Sequence, residues 1–331
     1  MSLGICLFGA GRIGQLHAAN VSASSRASVV SVVDVNLDAA SALAKTCGAR
    51  FGTDVDEALA FDDVDAVIIG APTTIHVDLI LSSARKGKAV FCEKPIDLDM
   101  ARVDACLLEM EEYAVPFAVG FNRRFDPSIA RMKRAIDEGE IGNLEILVIT
   151  SRDPSPPPDE YIRTSGGYFR DSTIHDLDLA RWILGEEPNS VSAFGSNLVD
   201  TKIRDAGDFD TAVTSLRTAS GRLCQINNSR RATYGFDQRV EAFGSAGMLQ
   251  TMNQPETGLL RYSAGATAAQ DPLKNFFLER YEESFRTELD DFLDAVEEGH
   301  VPSVTGKDGR QALKLADAAE LSARTGKTIA I

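Results

Sequence analysis

The stretch DSTIHDLD, residues 171 to 178, sets His175 among three aspartates in a chain with only four histidines. Imidazole is the side chain whose ordinary titration falls near neutrality, so a histidine one helical turn from a carboxylate is a candidate general base. The carboxylate would fix its tautomer and raise its basicity. The pattern predicts a helix from about Asp171 to Leu184, with Asp171 as cap and Gly185 as stop. At 100° per residue, Asp171, His175 and Asp178 then share a stripe opposite an apolar face of Leu177, Ala180 and Leu184. Asp176 falls off that stripe and is the least favoured of the acids. A solvated polar face would account for the aspartates but less well for the histidine. Asp and His at this spacing can also share an ion, yet no HExxH or CxxC spacing accompanies them, and no metal is expected.

The first residues supply a partner for such a base. LGICLF, GAGRIG and IGQLHAANVSAS read as strand, glycine turn and helix. Gly9, Gly11 and Gly14 complete GxGxxG: the first permits the tight turn, the second lets a pyrophosphate approach, and the third packs helix on strand. With Arg12 and Ile13 they make the expected phosphate-binding turn at a helix N-terminus. The run VVSVV ends at Asp34, 20 residues after Gly14, where an acid grips the adenosine ribose. Val35 and Asn36 follow instead of an arginine, so a 2′-phosphate would meet an uncompensated carboxylate. The expected cofactor is NAD.

Short apolar strands alternating with helices continue to VPFAVGF at 115 to 121, which implies a doubly wound parallel sheet, an α/β Rossmann domain. Ligands bind beyond the carboxyl ends of such strands. That position picks out Pro72 to His76, with Thr73 and His76 as cofactor contacts, and Glu93, Lys94 and Pro95 after another strand. After GFNRRFDP the strands lengthen, alternate and join by tight turns, which implies an α+β domain with an open, mainly antiparallel sheet. The expected domains are 1–121, 122–284 and a C-terminal segment 285–331.

A formal charge of −15 repels phosphate backbones and anionic head groups, so neither nucleic acid nor membrane is expected as a partner. No apolar run approaches the roughly 20 residues of a membrane helix. The N-terminus shows no basic segment or cleavage site, so a cytoplasmic location is expected. Five cysteines without CxxC spacing read as reduced structural thiols, with Cys92 a remote candidate nucleophile.

GAGRIG, EKP at 93 to 95 and GGYFRDSTIHDLDLARWILGEEP together resemble the glucose-fructose oxidoreductase, inositol dehydrogenase and rhizopine catabolism (Gfo/Idh/MocA) family. GFNRRFDP, SRDP, RRATYGFDQRVEAFGS and NFFLERY extend the likeness along the chain toward the inositol dehydrogenase type. The resemblance implies NAD-dependent oxidation of myo-inositol to 2-keto-myo-inositol, and a homotetramer formed through the open sheets. It also implies that the segment from about 285 packs on the first domain. Its catalytic lysine falls on Lys94, and its catalytic aspartate and histidine on Asp171 and His175. Polyol contacts fall on Arg124, Thr173, Asp178 and Tyr234, with Arg123 and Arg152 less firmly matched. Asn122 departs from the methionine often found in GFxRRF, which bears on substrate preference and not on the chemistry. Other inositol isomers, or an aldose, are alternative substrates of the same reaction. A noncatalytic sugar sensor is the alternative of another class, and the joint presence of Lys94, Asp171 and His175 argues against it.

Overall fold

A computed structural model describes residues 2–331. The chain divides into two units, residues 1–122 with 283–313, and residues 123–282 with 314–331.

In the first unit, β1 (Leu3–Phe8), β2 (Ala27–Val33), β3 (Arg50–Gly52), β4 (Ala66–Ile69), β5 (Ala89–Glu93) and β6 (Phe117–Gly120) form a six-stranded sheet in the order β3-β2-β1-β4-β5-β6. Every pairing is parallel. The central strands are apolar on both faces because helices cover both, as continuous runs such as AVII require. Phe285, Leu289 and Phe292 of the helix Glu282–Glu298 are buried in this unit, Phe292 meeting Phe91 edge to face at 5.7 Å. Phe8 pairs with Val33 and Ile69, and Ile69 with Cys92. That register brings Gly9, Asp34, Gly70 and Glu93 to one edge of the sheet.

In the second unit, β7 (Leu144–Arg152), β8 (Pro188–Ser196), β9 (Thr211–Thr218), β10 (Leu223–Ser229), β11 (Asp237–Gly244) and β12 (Gly247–Gln250) form a sheet with β15 (Ile329–Ala330). Two further strands, β13 (Leu260–Ser263) and β14 (Ala266–Gln270), pair as a separate hairpin. The order is β12-β11-β7-β10-β9-β8-β15, antiparallel except where β10 lies parallel to β7. Alternation gives the sheet a buried face, including Leu147, Ile149, Leu216, Cys224 and Ile226, and an open one.

The C-terminal segment departs from the sequence expectation. Residues 283–313 belong to the first unit, but 314–331 belong to the second. Ile329 and Ala330 pair with β8, and the Ala193 amide donates to Ser322 Oγ at 2.8 Å.

Candidate active site

At the end of β1 the chain turns with Gly9 at φ +102, a conformation L side chains rarely adopt, and a Cβ there would lie 2.6 Å from the Gly70 carbonyl oxygen. At Gly14 a Cβ would lie 1.9 Å from the Gly9 oxygen, so only glycine lets helix Arg12–Ala23 pack this close. Gly11 is different: it is exposed, and a Cβ would meet nothing within 4 Å. The space a side chain would fill lies over a helix start that has no side-chain cap and no acidic residue in its first turn. Unshielded amides and a positive dipole end fit a pyrophosphate. Asp34 Oδ2 accepts the Ala10 amide at 2.7 Å and Oδ1 accepts the Asn36 amide at 2.8 Å. The acid thus braces the glycine turn while lying where a ribose would bind. These residues fit NAD.

Thr73 opens a short 3-10 turn after β4. His76, expected to flank the nicotinamide, is only 1 % exposed. Its Nδ1 lies 2.9 Å from the Pro95 carbonyl oxygen and its Nε2 2.8 Å from that of Ala71. Burial pushes the imidazole below its ordinary value, against the pull of the two carbonyls and of Glu93 and Asp97. His76 therefore clamps the loops that follow β4 and β5 and does not present its ring outward. Glu93 is tied as well: Oε1 lies 2.9 Å from His17 Nε2, and a Cβ on Gly120 would come within 3.0 Å of Oε2. Lys94 follows at the strand end, partly buried, and is joined to Pro95 by a cis peptide bond. Cys92 is fully buried and its thiol is pushed well above the ordinary range, which removes it as a nucleophile.

The helix carrying His175 differs from the sequence expectation. Asp171 is not a cap: residues Phe169–Thr173 are wound as a π-helix that runs into the α-helix Ile174–Leu184. The Asp171 amide donates to the Gly167 carbonyl at 2.9 Å. π-turns recur at functional sites, and this one carries Asp171, the residue expected from the sequence to pair with His175. Asp171 is held from two sides, Tyr161 Oη donating to Oδ1 at 2.7 Å and Arg230 Nη2 to Oδ2 at 3.3 Å.

Nor is the helix polar on one side and apolar on the other. Asp176, the least favoured acid, is wholly buried, accepting from Arg123 Nη1 at 2.5 Å and Asn228 Nδ2 at 2.7 Å. Burial pushes its carboxyl up, with Arg123 and Asn228 opposing. Asp178 is also enclosed and takes a forked contact from Arg124, Nε lying 2.7 Å from Oδ2 and Nη2 bonding Oδ1. Thr173 is buried, its hydroxyl 3.3 Å from Asn228 Oδ1. Of the helix's polar residues, His175 and Arg181 keep partial exposure.

Tyr234 is half exposed, donates to Asp237 at 2.6 Å and accepts from Arg152 at 3.0 Å. Arg152 also reaches Asn227 Oδ1 at 2.7 Å. Tyr161, Arg230, Asn228 and Asp153 lie outside the set suggested by sequence. Arg230 and Asn228 meet Asp171 and Asp176 from 59 and 52 residues away, which no local spacing encodes, whereas Tyr161 reaches Asp171 from only 10 residues away. Asp153 is pushed up to about 6 by burial of its carboxyl, opposed by Arg230 and Arg123. Among the described residues, no group of three or more His, Cys, Asp or Glu side chains is arranged to hold a metal ion.

Two family models match the chain. Residues 3–121 match the oxidoreductase family with an NAD-binding Rossmann fold, and residues 129–250 match the GFO/IDH/MocA C-terminal domain. Inositol 2-dehydrogenase of Rhizobium meliloti is 48% identical over 331 residues, all of both chains. Myo-inositol 2-dehydrogenase of Thermotoga maritima is 43% identical over 326 residues, 98% of this chain and 97% of that one. The crystal structure of a myo-inositol dehydrogenase from Corynebacterium glutamicum superposes with a TM-score of 0.96 at 45% identity, covering 100% of this chain and 99% of that one. A glycine turn fitted to NAD, a two-unit division and likeness along the full length converge: the chain belongs to the Gfo/Idh/MocA family of NAD-binding oxidoreductases.

Proposed function

We propose that this enzyme oxidises a ring hydroxyl of myo-inositol to give 2-keto-myo-inositol. Full-length similarity to proteins named inositol 2-dehydrogenase carries the substrate assignment. Bound through Gly9, Gly11, Arg12, Ile13, Gly14, Asp34 and Thr73, NAD⁺ supplies the hydride acceptor. His175 takes the hydroxyl proton as the C–H bond breaks. Asp171 fixes the imidazole and stabilises its cationic form, and Lys94 stabilises the negative charge growing on the substrate oxygen. His76 and Glu93 hold the strand-end loop from which Lys94 projects. Arg124, Thr173, Asp178 and Tyr234 supply donors and acceptors for the remaining hydroxyls. Arg124 and Asp178 hold each other, Thr173 is tied to Asn228, and Tyr234 to Asp237 and Arg152, so little side-chain freedom is left to lose on binding.

The enzyme works as a homotetramer assembled through the open sheet faces. On that face Met248, Phe243, Ile146 and Leu223 are cross-strand neighbours over β12, β11, β7 and β10, and each is exposed. An apolar row on an uncovered sheet calls for a partner. Five free thiols, most of them buried, suit a reducing compartment, and we place the enzyme in the cytoplasm. No helix among the described residues is long and apolar enough to cross a membrane.

The test is a panel of myo-, scyllo- and D-chiro-inositol and an aldose, with NAD and NADP side by side, followed by nucleotide absorbance. Myo-inositol with NAD should give the highest kcat/KM; a higher value for another polyol overturns the substrate assignment. His175→Ala and Lys94→Ala should keep NAD binding while turnover falls by about a hundredfold or more. Near-normal turnover in either removes that residue from the mechanism.

A further inference from the structure

We propose that Arg230 is a positioning residue of this reaction: it holds the Asp171 carboxylate, offsets its charge, and so sets the pH at which His175 becomes an effective base. The proposal rests on the reading of His175 as base and Asp171 as its orienting partner.

Arg230 stands immediately after β10 and is 2 % exposed. Its backbone amide donates to the Asp210 carbonyl at 2.8 Å, which anchors the stem. Its guanidinium lies over the Tyr168 ring at 4.7 Å and donates to Asp171 Oδ2 at 3.3 Å. The other Asp171 oxygen takes the Tyr161 hydroxyl, so two elements distant in sequence fix the plane of the carboxylate. Arg230 Nε is buried without a hydrogen-bond partner among the described residues. A buried donor left unmade is costly, so the cation is not accounted for by its own bonding. Its charge is the remaining contribution.

Several charged groups share that surrounding. Asp153, Asp171 and Asp208 all feel Arg230, and Arg123 and Asp176 lie in reach of Asp153 but are paired with each other. Arg230 is thus a cation in direct contact with the histidine's expected partner. With Arg230 present, an imidazole beside Asp171 faces a carboxylate whose charge is partly offset. Without it, the imidazolium faces the full negative charge and is favoured, and the base stays protonated to higher pH.

The experiment is the pH profile of kcat/KM for wild type, Arg230→Gln and Arg230→Lys on myo-inositol with NAD, alongside melting temperature and NAD binding. In Arg230→Gln the acid limb should move up by about half a pH unit or more. In Arg230→Lys it should stay near its wild-type position, because the charge is retained even where the rate falls. A structural role alone would lower the rate at every pH and leave the limb in place. An acid limb in Arg230→Gln that stays put, or moves down, overturns the proposal. Should Arg230→Gln fail to fold, Arg230→Met keeps the stem against Tyr168 without a buried amide and answers the same question. His175→Ala separates the two levels: if it retains turnover the base assignment fails. If it is inactive while the Arg230→Gln limb is unmoved, only the role of Arg230 fails.

Discussion

Replacing Glu288 by glutamine should flatten the pH dependence of stability. Glu288 is 2 % exposed on the inward side of the helix Glu282–Glu298, near Phe285, Leu289 and Phe292. Neither carboxylate oxygen has a hydrogen-bond partner among the described residues. Burial pushes this carboxyl well above its ordinary 4.5, and the charges of Glu93 and Asp291 push the same way. The folded chain therefore keeps a proton that the unfolded chain releases. Because the folded affinity is raised, the stabilisation is fully present below about pH 4.5 and is lost as pH climbs toward the folded value. Each pH unit inside that window removes about 1.4 kcal/mol. Glutamine has nearly the same shape and no titrating proton. Any cost of burying its amide is the same at every pH and cancels from the slope. Urea unfolding of both proteins at several pH values gives the difference directly. Relative to wild type, Glu288→Gln should gain stability steadily as pH rises. A difference that stays flat across the window would refute a neutral, buried carboxyl at this position.

Asp34→Ser removes both a ribose partner and the acceptor of the Ala10 amide, so NAD should bind about tenfold or more weakly and the preference over NADP should narrow. Fluorescence titration with both nucleotides checks this, and an unchanged preference would contradict the role given to Asp34. Arg124→Met removes the forked partner of the buried Asp178 carboxylate, leaving it the Arg181 guanidinium at 3.6 Å, and should destabilise the protein by about 3 kcal/mol. The double variant Arg124→Met with Asp178→Leu should recover most of that loss in denaturant midpoints. Ile146→Glu puts a charge in the exposed apolar row of the open sheet and should lower the mass found by light scattering. An unchanged mass would refute an interface through this row.

The nucleotide end was legible because its constraints are local. A turn that requires φ above zero at Gly9, a close helix contact at Gly14 and an acid at the next strand end all fall within 34 residues. The parallel sheet was equally legible, since wholly apolar runs such as AVII have few other uses. Pairings across long separations were not. His17 and Glu93 are 76 residues apart, Arg230 and Asp171 are 59 apart, and nothing in the spacing of either partner announces the other. The π-wound turn at Phe169–Thr173 also escapes, because a pattern read at 100° per residue presupposes α-geometry.

Asp176 shows where a signal existed and was outweighed. A helical wheel ranks a polar residue by its distance from the apolar face, and this assumes that the opposite face meets water. Here Ile174, Leu177, Leu179, Ala180, Ile183 and Leu184 spread around the helix and are all buried. A helix apolar over so wide an arc is enclosed on more than one side, and an aspartate on it is costly unless paired. The question then becomes which cations the chain can bring to it. Two adjacent arginines, Arg123 and Arg124, stand at the start of the second unit, and they meet Asp176 and Asp178 in order. Adjacent arginines answering two acids on one enclosed helix fix where that helix lies against the rest of its unit. The same contacts fix His175, which lies between Thr173 and Asp176 on that helix and keeps partial exposure. On the proposed reading of His175 as the base, the buried pairs serve it by holding its backbone.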